Sequence, residues 1–139
     1  MTRAEYFEII AHSSEEVLVP LAEKILQISS MIIKKKPEKG MLMLQTRDGA
    51  ADTLFNLGEI LVTECMVELD GVEGYMMMLG NVPEKAIAGA VIEAALAGGH
   101  NLSEEIKATL AQEKKRVNKE KAKEVFDVEK TSVRFEIMD

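Results

Sequence analysis

The chain has 139 residues, with 17 Lys or Arg, 24 Asp or Glu and a formal net charge of −7, a length that fits one domain over residues 1–139. The negative charge argues against a surface devoted to nucleic acid or to an anionic membrane, because either would repel it. A single cysteine, Cys65, excludes an internal disulfide and any multi-cysteine metal or iron–sulfur site within this chain.

The first thirty residues predict two helices and no signal peptide. Acidic residues interrupt the apolar run that a signal peptide needs, and no later stretch reaches the ~20 apolar residues of a membrane span, so we expect a soluble, cytoplasmic protein. Residues 2–12 carry apolar side chains at helical spacing, and Ser13 or Ser14 can cap a second helix. Pro20 lies inside this second helix and predicts a later start or a bend.

The middle of the chain predicts strands. Residues 36–40, Lys-Pro-Glu-Lys-Gly, lie between two apolar runs and indicate a hairpin turn. A polar loop at 47–53 precedes the longest predicted strand, 57–69, in which one face is apolar and the other alternates apolar with acidic residues. Residues 70–71, Asp-Gly, are a tight-turn signal. The return strand 73–79 is apolar on both faces. At least one of these faces is therefore predicted to be covered by something beyond the first layer that packs on the sheet.

The C-terminal part predicts two more helices and an edge strand. Residues 83–97 begin with a proline, contain many small residues that allow close packing, and end before two glycines. Residues 101–104 have the spacing of a capping box and open a long polar helix that runs to about Val125. Residues 131–138 alternate like an edge strand. The predicted fold is α+β, an antiparallel sheet of four to five strands with packed helices and a long polar C-terminal helix.

No motif of a known reactive site stands out. Phosphate-binding loops, dinucleotide-binding glycine motifs, HExxH and CxxC are all missing from the sequence. His12 and His100 fall at predicted helix ends, which favours structural roles. Cys65 lies on the apolar face of a strand and is predicted to be a buried, inert thiol. We therefore expect no catalytic, cofactor-binding or metal-binding residues in this chain.

Two groups of charged residues leave alternatives open. Acidic residues of the longest strand and its end could act as acid–base groups, but contact with solvent or a partner is the simpler interpretation; they are Glu59, Glu64, Glu68 and Asp70. A basic cluster on the last helix could face a phosphate-rich ligand. A solvated helix face explains it more simply, because interleaved aromatic residues are missing; its members are Lys114, Lys115, Arg116, Lys119, Lys121 and Lys123.

Methionine and apolar strand residues predict a partner interface. The sequence has nine Met, four of them at Met66 and at residues 76–78, and methionine suits both irregular cores and adaptable contact surfaces. If exposed, the doubly apolar return strand would form a patch larger than monomers usually tolerate. We predict an interface formed by Phe55, Leu57, Tyr75, Met76, Met77, Met78 and Leu79.

Six segments, in order along nearly the whole chain, carry a family resemblance. They are IAHS at 10–13, GMLMLQTR at 40–47, FNLGEILVTEC at 55–65, DGVEGY at 70–75, LG at 79–80 and SVRF at 132–135. Their order and spacing resemble PhnG, a small subunit of the bacterial carbon–phosphorus lyase system for phosphonate breakdown. One departure follows 79–80, where Asn81-Val82 stands in place of a basic and acidic pair, so contacts made by that loop in the family are not carried over.

The resemblance implies a non-catalytic subunit of a hetero-oligomer. PhnG-like proteins associate with PhnH, PhnI and PhnJ in a core complex, and PhnL is also required for the first step. With PhnI as catalytic partner, an alkylphosphonate displaces adenine from MgATP and gives a ribose 1-alkylphosphonate 5-triphosphate. PhnJ, with an iron–sulfur cluster and S-adenosylmethionine, later breaks the carbon–phosphorus bond. The resemblance implies that this chain binds no cofactor and supplies no catalytic residue to this transferase and lyase system.

Two other classes of function remain open from the residues alone. A free-standing enzyme or nucleotide-binding protein would use the basic helix together with Glu59 or Glu64. A homodimeric structural protein would cover its apolar strand with a second copy. In either the subunit or the homodimer case, we expect the isolated chain to self-associate.

Overall fold

The computed structural model describes the backbone of residues 1–48, 53–124 and 133–138, and the side chains of residues 1–43, 45 and 58–119. Within these residues the chain forms an α+β fold in the order α1 Arg3–His12, α2 Glu15–Leu26, β1 Met31–Asp48, β2 Thr53–Leu69, β3 Val72–Leu79, α3 Pro83–Ala97, α4 Ser103–Glu124 and β4 Val133–Met138. The predicted class, helices packed on an antiparallel sheet, is confirmed.

Of the two N-terminal helices, α1 has a side-chain N-cap, whereas Ser14 occupies the N-cap position of α2 without a side-chain cap bond. The hydroxyl of Thr2 accepts a hydrogen bond from the backbone N–H of Glu5 at 3.1 Å, which satisfies one of the free donors of the first turn of α1. Ser13 lies between α1 and α2 and is buried, and its hydroxyl donates to the carbonyl of Ile9 at 2.7 Å. Pro20 lies inside α2, which nevertheless begins at Glu15, so the alternative of a later start is wrong.

The hairpin predicted at residues 36–40 is wrong, because this segment lies inside β1. It pairs with β2, with Glu38 opposite Glu64 and Gly40 opposite Val62. The pairing register shifts on either side of Lys35. Such an irregularity accommodates a proline, which cannot donate to the ladder, without ending the strand. A turn-like sequence here marks a bulged strand.

The ends of the two long strands also differ from the prediction. β1 continues through Arg47 and Asp48, and β2 already begins at Thr53, so these three residues of the predicted loop at 47–53 belong to strands. Residues 49–52 lie outside the described residues. The next turn is as predicted. Asp70 (φ 48°) and Gly71 (φ 85°) both have left-handed backbones, which is the geometry of a tight hairpin turn.

The core lies between the sheet and α3. Helix α3 packs on β2 and β3, and α1 and α2 pack on α3. Gly74 of β3 allows this close approach, since a Cβ atom there would lie 2.2 Å from the carbonyl oxygen of Ala90 and 2.6 Å from the Cβ atom of Ala94. The prediction that the small residues of this helix permit flat packing is confirmed.

The strands are antiparallel throughout. β2 pairs with β1 on one side and β3 on the other, and β4 pairs with β1 along residues 41–46, giving the order β3-β2-β1-β4. Val125 and residues 131–132, at the ends of the predicted last helix and tail strand, lie outside the described residues. None of the helices in the described part of the chain is long and apolar enough to cross a membrane.

Candidate interaction site

Strand β3 presents different side chains to its two faces. Met76 and Met78 are 0% and 2% exposed and belong to the core beneath α3. Tyr75, Met77 and Leu79 alternate with them and therefore lie on the opposite face, and Leu79 is 58% exposed. Only this second set is available to a partner.

The predicted interface set is thus divided by the structure. Met76 and Met78 pack inside the chain because the small side chains of α3 leave room for them. Phe55 and Leu57 lie on β2, and their side chains are outside the described residues. The contact of the remaining residues with a partner stays a prediction.

A polar triad lies beside Met77 on the exposed side of the sheet. Tyr75 donates its hydroxyl proton to Glu64 Oε2 at 2.7 Å, and Lys35 Nζ donates to Glu64 Oε1. These two hydrogen bonds lower the pKa of Glu64, with that from Lys35 the larger cause. Burial and the bond to Glu64 raise the pKa of Tyr75. Glu64 is therefore a paired carboxylate that fixes the position of Tyr75 on the strand.

A buried carboxylate ties β3 to the helices. Glu93 is 5% exposed in the middle of α3; its Oε1 accepts from Arg3 Nε at 2.6 Å and its Oε2 from the backbone N–H of Tyr75 at 3.1 Å. Phe7 of α1 stacks on the ring of Tyr75, with centroids 6.2 Å apart and planes 10° apart. The position of Tyr75 is therefore set by α1, α3 and β2 together.

The other acidic residues do not converge on one site. Glu68 forms an ion pair with Lys34 at 3.5 Å, and Glu59 is exposed on β2. Asp70 Oδ1 accepts from the backbone N–H of Ser30 at 2.9 Å. That bond, and a second from the side chain of Ser29, lower the pKa of Asp70.

His100 takes part in a structural link between loops. Its Nδ1 accepts from the backbone N–H of Leu102 at 3.0 Å, so the ring proton is assigned to Nε2, which lies 2.6 Å from Ser29 Oγ. His100 therefore donates to Ser29, and Ser29 bonds to Asp70. In this direction the imidazole cannot remove the proton of Ser29, as nucleophilic catalysis requires.

The thiol of Cys65 is buried, and one member of the basic cluster, Arg116, has a structural role. Cys65 is fully buried, and burial raises the pKa of its thiol to about 11, which confirms the prediction of a buried thiol. Arg116 donates to Glu113 Oε2 at 2.8 Å and to the backbone carbonyl of His12 at 3.1 Å, joining α4 to the end of α1. Lys115 and Lys119 are exposed. The side chains of Lys121 and Lys123 lie outside the described residues.

A groove of about 490 Å³ lies where β3 ends, between the end of α1 and the first turn of α3. Its lining is mostly apolar and consists of Ala11, His12, Leu42, Val62, Met77, Met78, Leu79 and Lys85. Burial and, second, the charge of Arg116 lower the pKa of Lys85, while Glu15 opposes this effect. Reasoning from the sequence did not place Leu42, Val62 and Lys85 in one site, because only strand pairing and helix packing bring them together.

These features define a small α+β domain built around a helix-covered sheet with a partly apolar groove at one end. Among the described residues, no three His, Cys, Asp or Glu side chains are grouped to hold a metal ion. The chain belongs to the PhnG family: the family model described as phosphonate metabolism protein PhnG matches residues 1–139. Its role therefore lies in phosphonate metabolism. A search of curated proteins finds no match.

Proposed function

We propose that this chain is a non-catalytic subunit of the carbon–phosphorus lyase core complex. In this role it supports a PhnI-type subunit that transfers an alkylphosphonate onto the ribose of MgATP. A phosphonate oxygen forms a bond to C1′, the bond from C1′ to adenine N9 breaks, and adenine leaves with the electron pair and takes up a proton. The observation that carries the proposal is the family match over the whole chain.

The settings of the chemically capable side chains support a non-catalytic role. Cys65 is buried, Glu64 is engaged by Lys35 and Tyr75, and His100 donates to Ser29. Each of these groups stabilises the fold through its present bonds, and using it in a reaction would require breaking them. MgATP is then a substrate of the complex, and the iron–sulfur cluster and S-adenosylmethionine belong to PhnJ.

The exposed face of β3 supports the assembly half of the proposal. Met77 and Leu79 line the groove. Leu79 is exposed and Met77 is half-buried, and an apolar surface of this kind favours burial against another protein. The proposed partners are PhnI, PhnH, PhnJ and PhnL-type proteins. Since the proposed reaction consumes MgATP, the proposal places the complex in the cytoplasm.

Binding measurements separate this proposal from the alternatives. When this chain is co-expressed with a PhnI-type subunit, we expect the two to elute together in sizing chromatography. When the purified chain is titrated with MgATP alone in a calorimeter, we expect no heat of binding. A monomer that takes up no PhnI-type partner would contradict the subunit role. Saturable binding of MgATP to the isolated chain would favour a free-standing nucleotide-binding protein.

A further inference from the structure

The groove at the end of β3 has the size and lining of a binding site for apolar groups. Its volume of about 490 Å³ lies within the ~300–1,000 Å³ that is usual for ligand pockets. Met77 contributes a flexible thioether side chain, which adapts to varied apolar shapes. Leu79 is exposed although it is large and apolar, so a partner that covers it removes apolar surface from water.

One lysine, Lys85, lines the groove of a chain whose net charge is −7. Lys85 is half-buried, and within the described part of the chain its ammonium group has no hydrogen bond or ion pair. His12 also lines the groove. Arg116 is near enough to disfavour the charged form of Lys85, and Glu15 favours it. A carboxylate placed against Lys85 would offset both its burial and the repulsion from Arg116.

We propose that this groove binds a segment of a partner polypeptide that inserts apolar side chains between Met77 and Leu79 and places a carboxylate against Lys85. This inference rests on the proposed subunit role and identifies the surface that it uses. Charge complementarity favours an acidic segment of another protein.

A pair of matched substitutions tests the apolar part of the groove. Leu79 is 58% exposed and Ile28 is 59% exposed. Leu79 lies beside the groove, whereas Ile28 lines a separate cavity next to Ser29 and Asp70. With affinity for the PhnI-type subunit measured by calorimetry, we expect Leu79→Asn to weaken binding about tenfold or more, and Ile28→Asn to leave it within about twofold.

A second pair tests the charge. Lys85→Glu should weaken the same binding about tenfold and reduce its dependence on salt, whereas Lys115→Glu, at an exposed position of α4, should have little effect. Thermal unfolding of each variant verifies that it is folded. If both Leu79→Asn and Lys85→Glu bind the PhnI-type subunit with wild-type affinity, the proposed binding in the groove is overturned while the subunit role stays intact. Failure of the wild-type chain to bind the PhnI-type subunit would overturn both the groove proposal and the subunit role.

The same variants identify a second copy as the occupant if that alternative is correct. Sedimentation would then show a wild-type dimer that Leu79→Asn dissociates, with no change in affinity for the PhnI-type subunit. That result would overturn the proposed partner segment.

Discussion

The carboxylate of Glu93 accepts a hydrogen bond from the backbone N–H of Tyr75 at 3.1 Å. β3 is an edge strand, and free N–H groups along such an edge can pair with other chains. Glu93 satisfies one of these donors from α3, and Arg3 neutralises its charge at 2.6 Å. The buried acid thus holds the strand so that Tyr75, Met77 and Leu79 face away from the core.

Removing this carboxylate should destabilise the fold. Glu93→Ala leaves the N–H of Tyr75 without its acceptor, which costs about 1–3 kcal/mol for a buried donor. Glu93→Gln keeps an acceptor oxygen and should cost less. Urea unfolding measures both. Equal stabilities for wild type and Glu93→Ala would show that the bond does not hold β3.

Adding a side chain at Gly74 should lower the free energy of unfolding. In Gly74→Ala the new Cβ atom would meet Ala90 O at 2.2 Å, so α3 must move, and overpacking of this kind costs about 1–3 kcal/mol. Gly40→Ala is the matched control, since its Cβ atom would lie 3.7 Å from Val62. Unfolding free energies should separate the two variants. Similar losses in both would contradict the close approach of α3 to β3.

The bonds to Glu64 predict how stability changes in acid. Hydrogen bonds from Lys35 and then Tyr75 lower its pKa in the folded state. The resulting stabilisation is present above the ordinary glutamate pKa, about 4.3, and is lost as the pH falls through the folded-state value. Glu64→Gln should flatten this acid limb in urea unfolding below about pH 5, and Tyr75→Phe should flatten it partly. An unchanged limb in Glu64→Gln would contradict the triad.

The thiol of Cys65 should react only after unfolding. It is fully buried and its pKa is raised to about 11, so little thiolate forms and reagent access is blocked. Mass spectrometry after iodoacetamide treatment near pH 8 should show an unmodified native chain and a modified chain in urea. Rapid modification of the native chain would contradict this burial.

The sequence predicted the elements whose signals are local. Asp70-Gly71 has the backbone that a tight turn requires, and α3 runs from Pro83 to Ala97, as the proline and the following glycines indicate. Pro37 misled the prediction, because proline occurs both in turns and in strand irregularities. Only the pairing partner of a segment distinguishes the two, and pairing is not local.

The candidate site depended on contacts between distant parts of the chain. Alternation along β3 indicates that Met77 and Met78 point to opposite faces, but it does not show which face α3 covers. Glu93 appears in the sequence as a break in an apolar run, whereas in the fold it joins Arg3 to Tyr75. Lys85 and Leu42 meet at one groove only because α3 and the long strands pack together.

Release of adenine tests the proposed subunit role most directly. PhnI-, PhnH- and PhnL-type subunits are mixed with MgATP and methylphosphonate, with and without this chain, and adenine is followed by chromatography. We expect adenine only when the chain is present, because the chain stabilises or positions the PhnI-type subunit. Equal rates of adenine release with and without it would contradict the role in the complex.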